Sequence, residues 1–238
     1  MNGYERVQTL WQLFLAGGLL MWPIAVMSLV VVTFGLERLL ALRRGRFVPR
    51  GLKAGITDLA SARPGKAGFD PRRAWRLCGE FPSVAADVIK TMLEKIGRPL
   101  PEIERAVEAE KDRSASRLYA NIRPITLAVT VTPLLGLLGT VQGMIMAFMK
   151  TASPEAGANR ATELAGGIYV ALITTFAGLC VAIPAAIVAH WLEGRILRGF
   201  RAVDDLVGLV LPQLERYENK GRVTPEQLAA DPAGGAKP

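Results

Sequence analysis

The stretch Pro133-Leu-Leu-Gly-Leu-Leu-Gly-Thr-Val-Gln-Gly-Met144 decides the fold class. It lies inside an apolar run, yet it gives up side-chain bulk at Gly136, Gly139 and Gly143 and adds Pro133 and Thr140. A helix that only crossed lipid would be built from leucine and valine. Small residues let a neighbouring backbone approach, and a hydroxyl in hydrocarbon needs an acceptor on its own preceding turn or on a neighbour. The segment therefore reads as one helix of a membrane bundle packed around a polar path.

Working outward, three apolar stretches reach the length of about 20 residues that a helix needs to span a bilayer. They cover residues 14–37, 125–149 and 164–191. The first reads as a retained anchor rather than a cleaved leader. Glu5 stands beside Arg6 where a leader carries a basic cluster, and the apolar run is longer than a leader's. Residues 1–13 form an amphipathic lead-in with Val7, Leu10 and Trp11 on one face. Trp11 and Trp22 suit the membrane–water boundary.

The chain of 238 residues is half hydrophobic and carries a formal charge of +8. Its Lys and Arg residues cluster beside particular span ends. Arg38, Arg43, Arg44, Arg46, Arg50 and Lys53 follow the first span. Arg105, Lys111, Arg113, Arg117 and Arg123 precede the second, and Arg195, Arg198 and Arg201 follow the third. The other side holds Arg6, Lys150 and Arg160. Positive charge stays inside, so the N-terminus is expected in the periplasm and the C-terminus in the cytoplasm of a bacterial inner-membrane protein. Residues 38–124 then form a cytoplasmic helical domain, 150–163 a periplasmic loop, 192–219 a cytoplasmic helix and 220–238 a disordered tail. Basic charge without aromatic interleaving or a reading-helix motif argues against nucleic acid.

In the cytoplasmic domain, Pro49, Gly51, Gly55, Pro64, Gly65, Gly68 and Pro71 break any long helix. Pro82 and Ser83 start a helix with an apolar stripe of Val84, Val88, Met92 and Ile96. Pro101, followed by Glu102 and Glu104, opens another with no breaker before Pro124, so it is expected to run on into the second span. The third span continues as Leu192, Ile196, Phe200, Val203 and Leu206 until Pro212 interrupts it. The expected fold is all-α, with three transmembrane helices, the second and third extending far into the cytoplasm.

The central thirds of the spans contain no Asp, Glu, Lys or Arg. A proton relay in a membrane usually needs an ionisable group, so either the chain conducts nothing or a partner supplies the group. What the spans do carry is threonine. Thr126, Thr130 and Thr140 recur at near-helical spacing, with Thr132 off that stripe, and Thr174 and Thr175 lie near the centre of the third span. Spans two and three run in opposite directions, which puts Thr140 and Thr175 within about one helical turn in depth. Gly166, Gly167, Ala171, Gly178, Ala182, Ala185 and Ala186 suit the third span to close packing.

Two readings of these residues stand side by side. Threonines can bond their own backbone and glycines serve helix contact, or both can frame a polar path. Pro133 and Pro184 are tolerated kinks or hinges. His190 reads as an interfacial polar residue, Glu37-Arg38 as a headgroup pair, and Glu163 as a loop carboxylate or a cation-gathering one. One histidine and two distant cysteines, Cys78 and Cys180, offer no metal set or disulfide framework. No glycine-rich phosphate loop is present, so no cofactor is expected, and no nucleophile–base pair favours an enzyme.

At these residues the chain resembles the MotA/TolQ/ExbB proton channel family, on its ExbB/TolQ branch. The resemblance rests on Pro133 through Phe148, on Gly167-Ile-Tyr-Val-Ala-Leu-Ile-Thr-Thr-Phe-Ala-Gly-Leu-Cys-Val-Ala-Ile-Pro-Ala185, and on Gly17-Gly-Leu-Leu-Met-Trp-Pro-Ile closing with Glu37-Arg38-Leu39. It implies a ring, a homopentamer of three-span subunits around the single helices of a dimeric ExbD- or TolR-like partner whose aspartate carries the proton. A TonB- or TolA-like protein is a further implied partner. The resemblance also implies that Thr140 and Thr175 line the pore, and that proton motive force drives work on the periplasm or outer membrane, such as TonB-dependent import. Two departures stand out. Val170, after Tyr169, occupies a position where a glutamate is common, and His190 stands where an asparagine is common. A MotA-like stator subunit would usually have four spans. A non-conducting oligomeric scaffold is the alternative from another class, and it expects Thr140 and Thr175 to face neighbouring helices and to tolerate valine.

Overall fold

In the computed structural model, residues 11–41, 47–61, 69–152, 160–218 and 228 are described. Among them the regular structure is helical throughout: α1 (Met21–Ala41), α2 (Arg50–Ser61), α3 (Pro71–Glu80), α4 (Val84–Glu94), α5 (Leu100–Ala120), α6 (Arg123–Ala152) and α7 (Arg160–Glu215). The chain forms two compact units. One comprises Met1–Leu39 and Asn121–Leu192, the other Leu40–Ala120 and Glu193–Pro238. The expected lead-in up to residue 10, the breakers Pro64, Gly65 and Gly68, the loop at 153–159 and the tail apart from Leu228 lie outside the described residues.

The first unit contains α1, α6 and the leading part of α7, the three helices long and apolar enough to cross a membrane. The first apolar stretch is divided. Residues 11–16 are helical, and the chain then turns through Gly17–Leu20 before α1 begins at Met21. Gly18 takes a φ of 72°, a left-handed conformation that favours glycine. Pro23, having no N–H, falls in the first turn of the restarted helix, where none is needed.

The expected single helix through residues 102–149 is also divided, by a turn at Asn121 and Ile122. Pro124 explains it: the ring has no N–H for the Ala120 carbonyl and crowds that carbonyl. The Ile122 carbonyl instead accepts the Ile125 and Thr126 amides at 2.9 and 3.1 Å. The long extension expected of the second span is thus a separate helix, α5. The opposite correction applies to Pro212. The third span's helix was expected to stop there, but α7 runs unbroken for 56 residues, about 84 Å at 1.5 Å per residue. Leu206 and Val210 before the proline and Leu214 after it are all buried. Their burial offsets a cost of about 3 kcal/mol for an internal proline.

The second unit is a water-type helical core. Leu52, Ile56, Ile89, Met92, Leu93, Ile103 and Leu206 are all inaccessible or nearly so. Of the expected α4 stripe, Val88, Met92 and Ile96 are buried and Val84 is half-buried. Ser83 caps α4, its hydroxyl accepting the Ala86 amide at 3.2 Å. Asp70 caps α3 by accepting the Arg72 and Arg73 amides, with Pro71 in the first helical position. Phe47 sits edge-on to Phe200 and fills the space left by Gly199. Leu228 joins this core. Burial pushes the Cys78 thiol up to about 12, against the opposing charge of Lys90. Lys111 bridges Asp204 at 2.8 Å and Glu108 at 3.0 Å. Burial alone would lower its pKa, but the two carboxylates together raise it.

Candidate functional site

The packing of α6 on α7 inside the first unit is set by small residues. The buried face of α6 runs Ile125, Ala128, Thr132, Gly136, Gly139, Gly143 and Ala147, a spacing of three or four that marks one helical face. Facing it on α7 are Gly167, Ala171, Thr174 and Gly178, and the buried Ala182 and Ala185 continue the same spacing. A Cβ on Gly178 would lie 2.9 Å from the Thr132 carbonyl oxygen, and one on Gly136 would lie 3.0 Å from the Thr175 Cα. On Gly143 it would lie 3.0 Å from the Gly167 carbonyl oxygen, on Gly139 it would overlap Thr174, and on Gly167 it would overlap the Ala147 methyl. The numbers rise along α6 as they fall along α7, so the helices are antiparallel and nearly backbone to backbone.

Against this seam the expected threonines separate. The Thr175 hydroxyl donates across the seam to the Gly136 carbonyl at 3.0 Å. In the helical ladder that carbonyl also faces the Thr140 amide, four residues on. Thr174 is buried and donates to its own helix, to the Ala171 carbonyl at 2.9 Å, while its side chain occupies the space over Gly139. Thr126, Thr130 and Thr140 donate to the Ile122, Thr126 and Leu137 carbonyls of their own chain at 3.4, 3.3 and 2.7 Å. They share one face of α6 beside the seam. Thr140 itself is half-buried, and Gly136, at the level of Thr175, lies about 6 Å from it along the axis.

Thr132 is the residue the threonine stripe overlooked. It is fully buried, and its hydroxyl has no hydrogen-bond partner in the structure. Its spacing of four from Ala128 and from Gly136 is the signal that places it on the seam. Pro133 and Pro184 both lie within unbroken helices, Pro133 half-buried and Pro184 exposed. His190 is exposed as well.

The helix α1 covers a different flank of α7. An apolar groove of about 370 Å³ there is lined by Met21, Ile24, Ala25, Ile173, Ala177 and Cys180. At 100° per residue, Ala177 and Cys180 lie on the side of the α7 seam opposite Thr175. Thr175 is therefore on the flank of α7 that α1 leaves uncovered. Among the described residues of the first unit, charges lie only near the ends of the three apolar stretches. Lys150 pairs with Glu163 at 3.4 Å, and Arg38 pairs with Glu37 at 2.8 Å with its Nε buried and unpartnered.

Three apolar helices, a glycine-and-alanine seam and hydroxyls without intramembrane charge define a bundled polytopic membrane protein. Residues 82–204 match the MotA/TolQ/ExbB proton channel family. The ExbB-like 1 biopolymer transport protein of Synechocystis sp. is 32% identical over 182 residues, 74% of this chain and 67% of the relative. Biopolymer transport protein exbB1 of Vibrio cholerae is 29% identical over 79% of this chain and 80% of its own length. The Tol-Pal system protein TolQ of Haemophilus influenzae is 36% identical over 94 residues, 39% of this chain and 40% of its own. The chain belongs to the MotA/TolQ/ExbB proton channel family and is a membrane protein of the ExbB/TolQ type.

Proposed function

We propose that this chain is the channel subunit of an inner-membrane motor that couples proton motive force to work on the periplasm or outer membrane. The N-terminus lies in the periplasm and the C-terminus in the cytoplasm, a reading that the basic residues beside the span ends support. A single-span ExbD- or TolR-like partner supplies the proton-carrying aspartate, a homopentamer of this chain surrounds it, and a TonB- or TolA-like protein takes up the work. Membrane lipid covers the remaining faces.

The observation that carries this reading is the Thr175–Gly136 hydrogen bond. It ties a hydroxyl on the flank that α1 leaves open to a seam carbonyl of α6, in spans whose centres hold no carboxylate of their own. That is half of a proton site. Thr140 lies on the next turn and extends the polar surface. Purified alone, the chain should pass few protons. Reconstituted with a partner whose helix carries an aspartate, it should conduct, and replacing that aspartate with asparagine should stop conduction.

One finding favours the scaffold alternative: Thr174 is buried against Gly139, and its hydroxyl bonds to carbonyls of its own helix. The two readings part at Thr175. A scaffold keeps its function when Thr175 becomes valine, and a channel does not.

A further inference from the structure

The floor of the groove between α1 and α7 is built from small side chains. The two helices run parallel: a Cβ on Gly17 would lie 3.4 Å from the Ile173 side chain, and one on Gly35 would lie 3.7 Å from that of Val188. Between these two contacts Ala25 and Ser28 on α1, with Ala177 and Cys180 on α7, leave a groove of about 370 Å³. Elsewhere α1 presents large exposed residues such as Val26 and Leu29. At the end of the groove nearer Met21, Phe14 forms part of the wall. Its ring stacks on Trp11 with centroids 5.7 Å apart and meets Trp22 edge-on at 5.4 Å. Both indoles are exposed, as suits a ring whose body lies among acyl chains while its N–H reaches headgroup level.

The dimensions decide what fits. The α7 wall runs from Ile173 to Val181, about 12 Å at 1.5 Å per residue, which is most of one leaflet's half of a hydrocarbon core of about 30 Å. Spread over that length, 370 Å³ is a section of about 31 Å². A helix with its side chains is 10–12 Å across and needs about 80 Å² or more. The groove therefore takes a single extended chain and excludes the helix of a second copy. Lipid tails gain no hydrophobic reward by covering an apolar floor. What holds one there is contact, because an alkyl chain in a groove meets protein atoms on several sides and a chain against a helix face meets them on one. We propose that this groove is a retained phospholipid site in the leaflet beside Trp22. One acyl chain lies along Ala25, Ser28 and Ala177, and the Trp11 and Trp22 indoles stand level with its esters and headgroup. The inference rests on the place of this unit in the membrane and not on proton flux.

The test uses the full chain in bilayer discs of phosphatidylethanolamine and phosphatidylglycerol. A trace of the phosphatidylethanolamine carries a diazirine midway along one acyl chain, and adducts are mapped by peptide mass spectrometry after irradiation. Ala25, Ser28 and Ala177 should take adducts severalfold more often than Val26 and Leu29, the exposed residues elsewhere on α1. Ala177→Phe fills the floor from α7, and Ser28→Phe fills it from α1. Each should abolish the groove adducts, leave those at Val26 and Leu29, and keep the assembled species on size-exclusion chromatography. Trp22→Ala should lower the groove adducts without abolishing them. Adducts no denser in the groove than at Val26 and Leu29, or unchanged by both filling variants in an assembled protein, overturn the inference, because such lipid is ordinary and exchanging. Absence of adducts from the wild-type groove overturns it as well and gives the groove to a neighbouring chain. Neither result touches the Thr175 site, which is read by proton flux.

Discussion

The same helix, α7, takes part in two kinds of packing. In the first unit its contacts are Gly167, Ala171, Thr174 and Gly178, against the equally small face of α6. In the second unit they are Val203, Leu206, Val210 and Leu214, within a core that also holds Ile89, Met92 and Ile103. In water, burying a large side chain is itself stabilising, by about 1.5–3 kcal/mol each. Lipid gives no such reward, because the tails are as apolar as leucine, so helices there associate through close backbone contact and hydroxyl bonds. The outer faces show the same division. Leu134, Leu138, Ile145 and Phe176 of the first unit are large, apolar and exposed, as lipid contact requires.

The sharpest way to break this comparison is to add bulk to the seam. Gly167→Leu would drive a side chain into Ala147 and the Gly143 carbonyl, whereas Gly166 next to it has open space. Gly167→Leu should abolish assembly as judged by size-exclusion chromatography, and Gly166→Leu should leave the assembled species intact. In the second unit the sign reverses, and removing bulk is what harms. Leu93→Ala and Leu206→Ala should each cost about 2–5 kcal/mol, read as a lower unfolding temperature with the seam unaffected.

A smaller effect is expected at Lys111. Its exposed-edge pairs with Asp204 and Glu108 contribute about 1 kcal/mol or less, so Lys111→Met should lower stability only slightly. Because its folded pKa is raised, that contribution is complete below the unfolded value of about 10.4 and is lost as the pH climbs through the folded value. Denaturation followed from pH 7 to 9 should show a constant difference between wild type and Lys111→Met, shrinking only above that window. The smallest effect concerns Cys78. With its thiol held up near 12 by burial, it should resist maleimide at pH 8 in the folded protein and react once the second unit unfolds. Its neutral form is favoured by the fold, so its contribution declines above pH 8.5 or so, the ordinary thiol value.

The legibility of these features in the sequence follows the same division. The three spans and the α4 stripe are legible because hydrophobic period is a local signal. The breaks were not read equally well. Gly17-Gly18 and Pro124 each interrupt a helix that hydropathy alone continues, since apolarity says nothing about whether a backbone donor is present. Pro212 misled in the other direction, because tertiary burial of Leu214 outweighs a local breaker. Within the candidate site, Thr174 and Thr175 are adjacent in sequence, yet one fills the seam and the other bridges it. Only the register between α6 and α7, which no single-chain pattern specifies, separates them. Thr132 falls off the threonine stripe, and only its spacing of four from Ala128 and Gly136 marks its place on the seam.

The central claim is that the Thr175 hydroxyl belongs to a proton path and is more than a fastening between helices. Thr175→Val keeps the shape and removes the hydroxyl, and Thr175→Ser keeps the hydroxyl. Proton flux should be measured in vesicles containing the complete complex, with assembly checked on the same preparation. The account predicts that Thr175→Val lowers flux at least roughly tenfold, equivalent to about 1.4 kcal/mol along the path, that Thr175→Ser restores most of it, and that both variants assemble. Wild-type flux in an assembled Thr175→Val complex would contradict it.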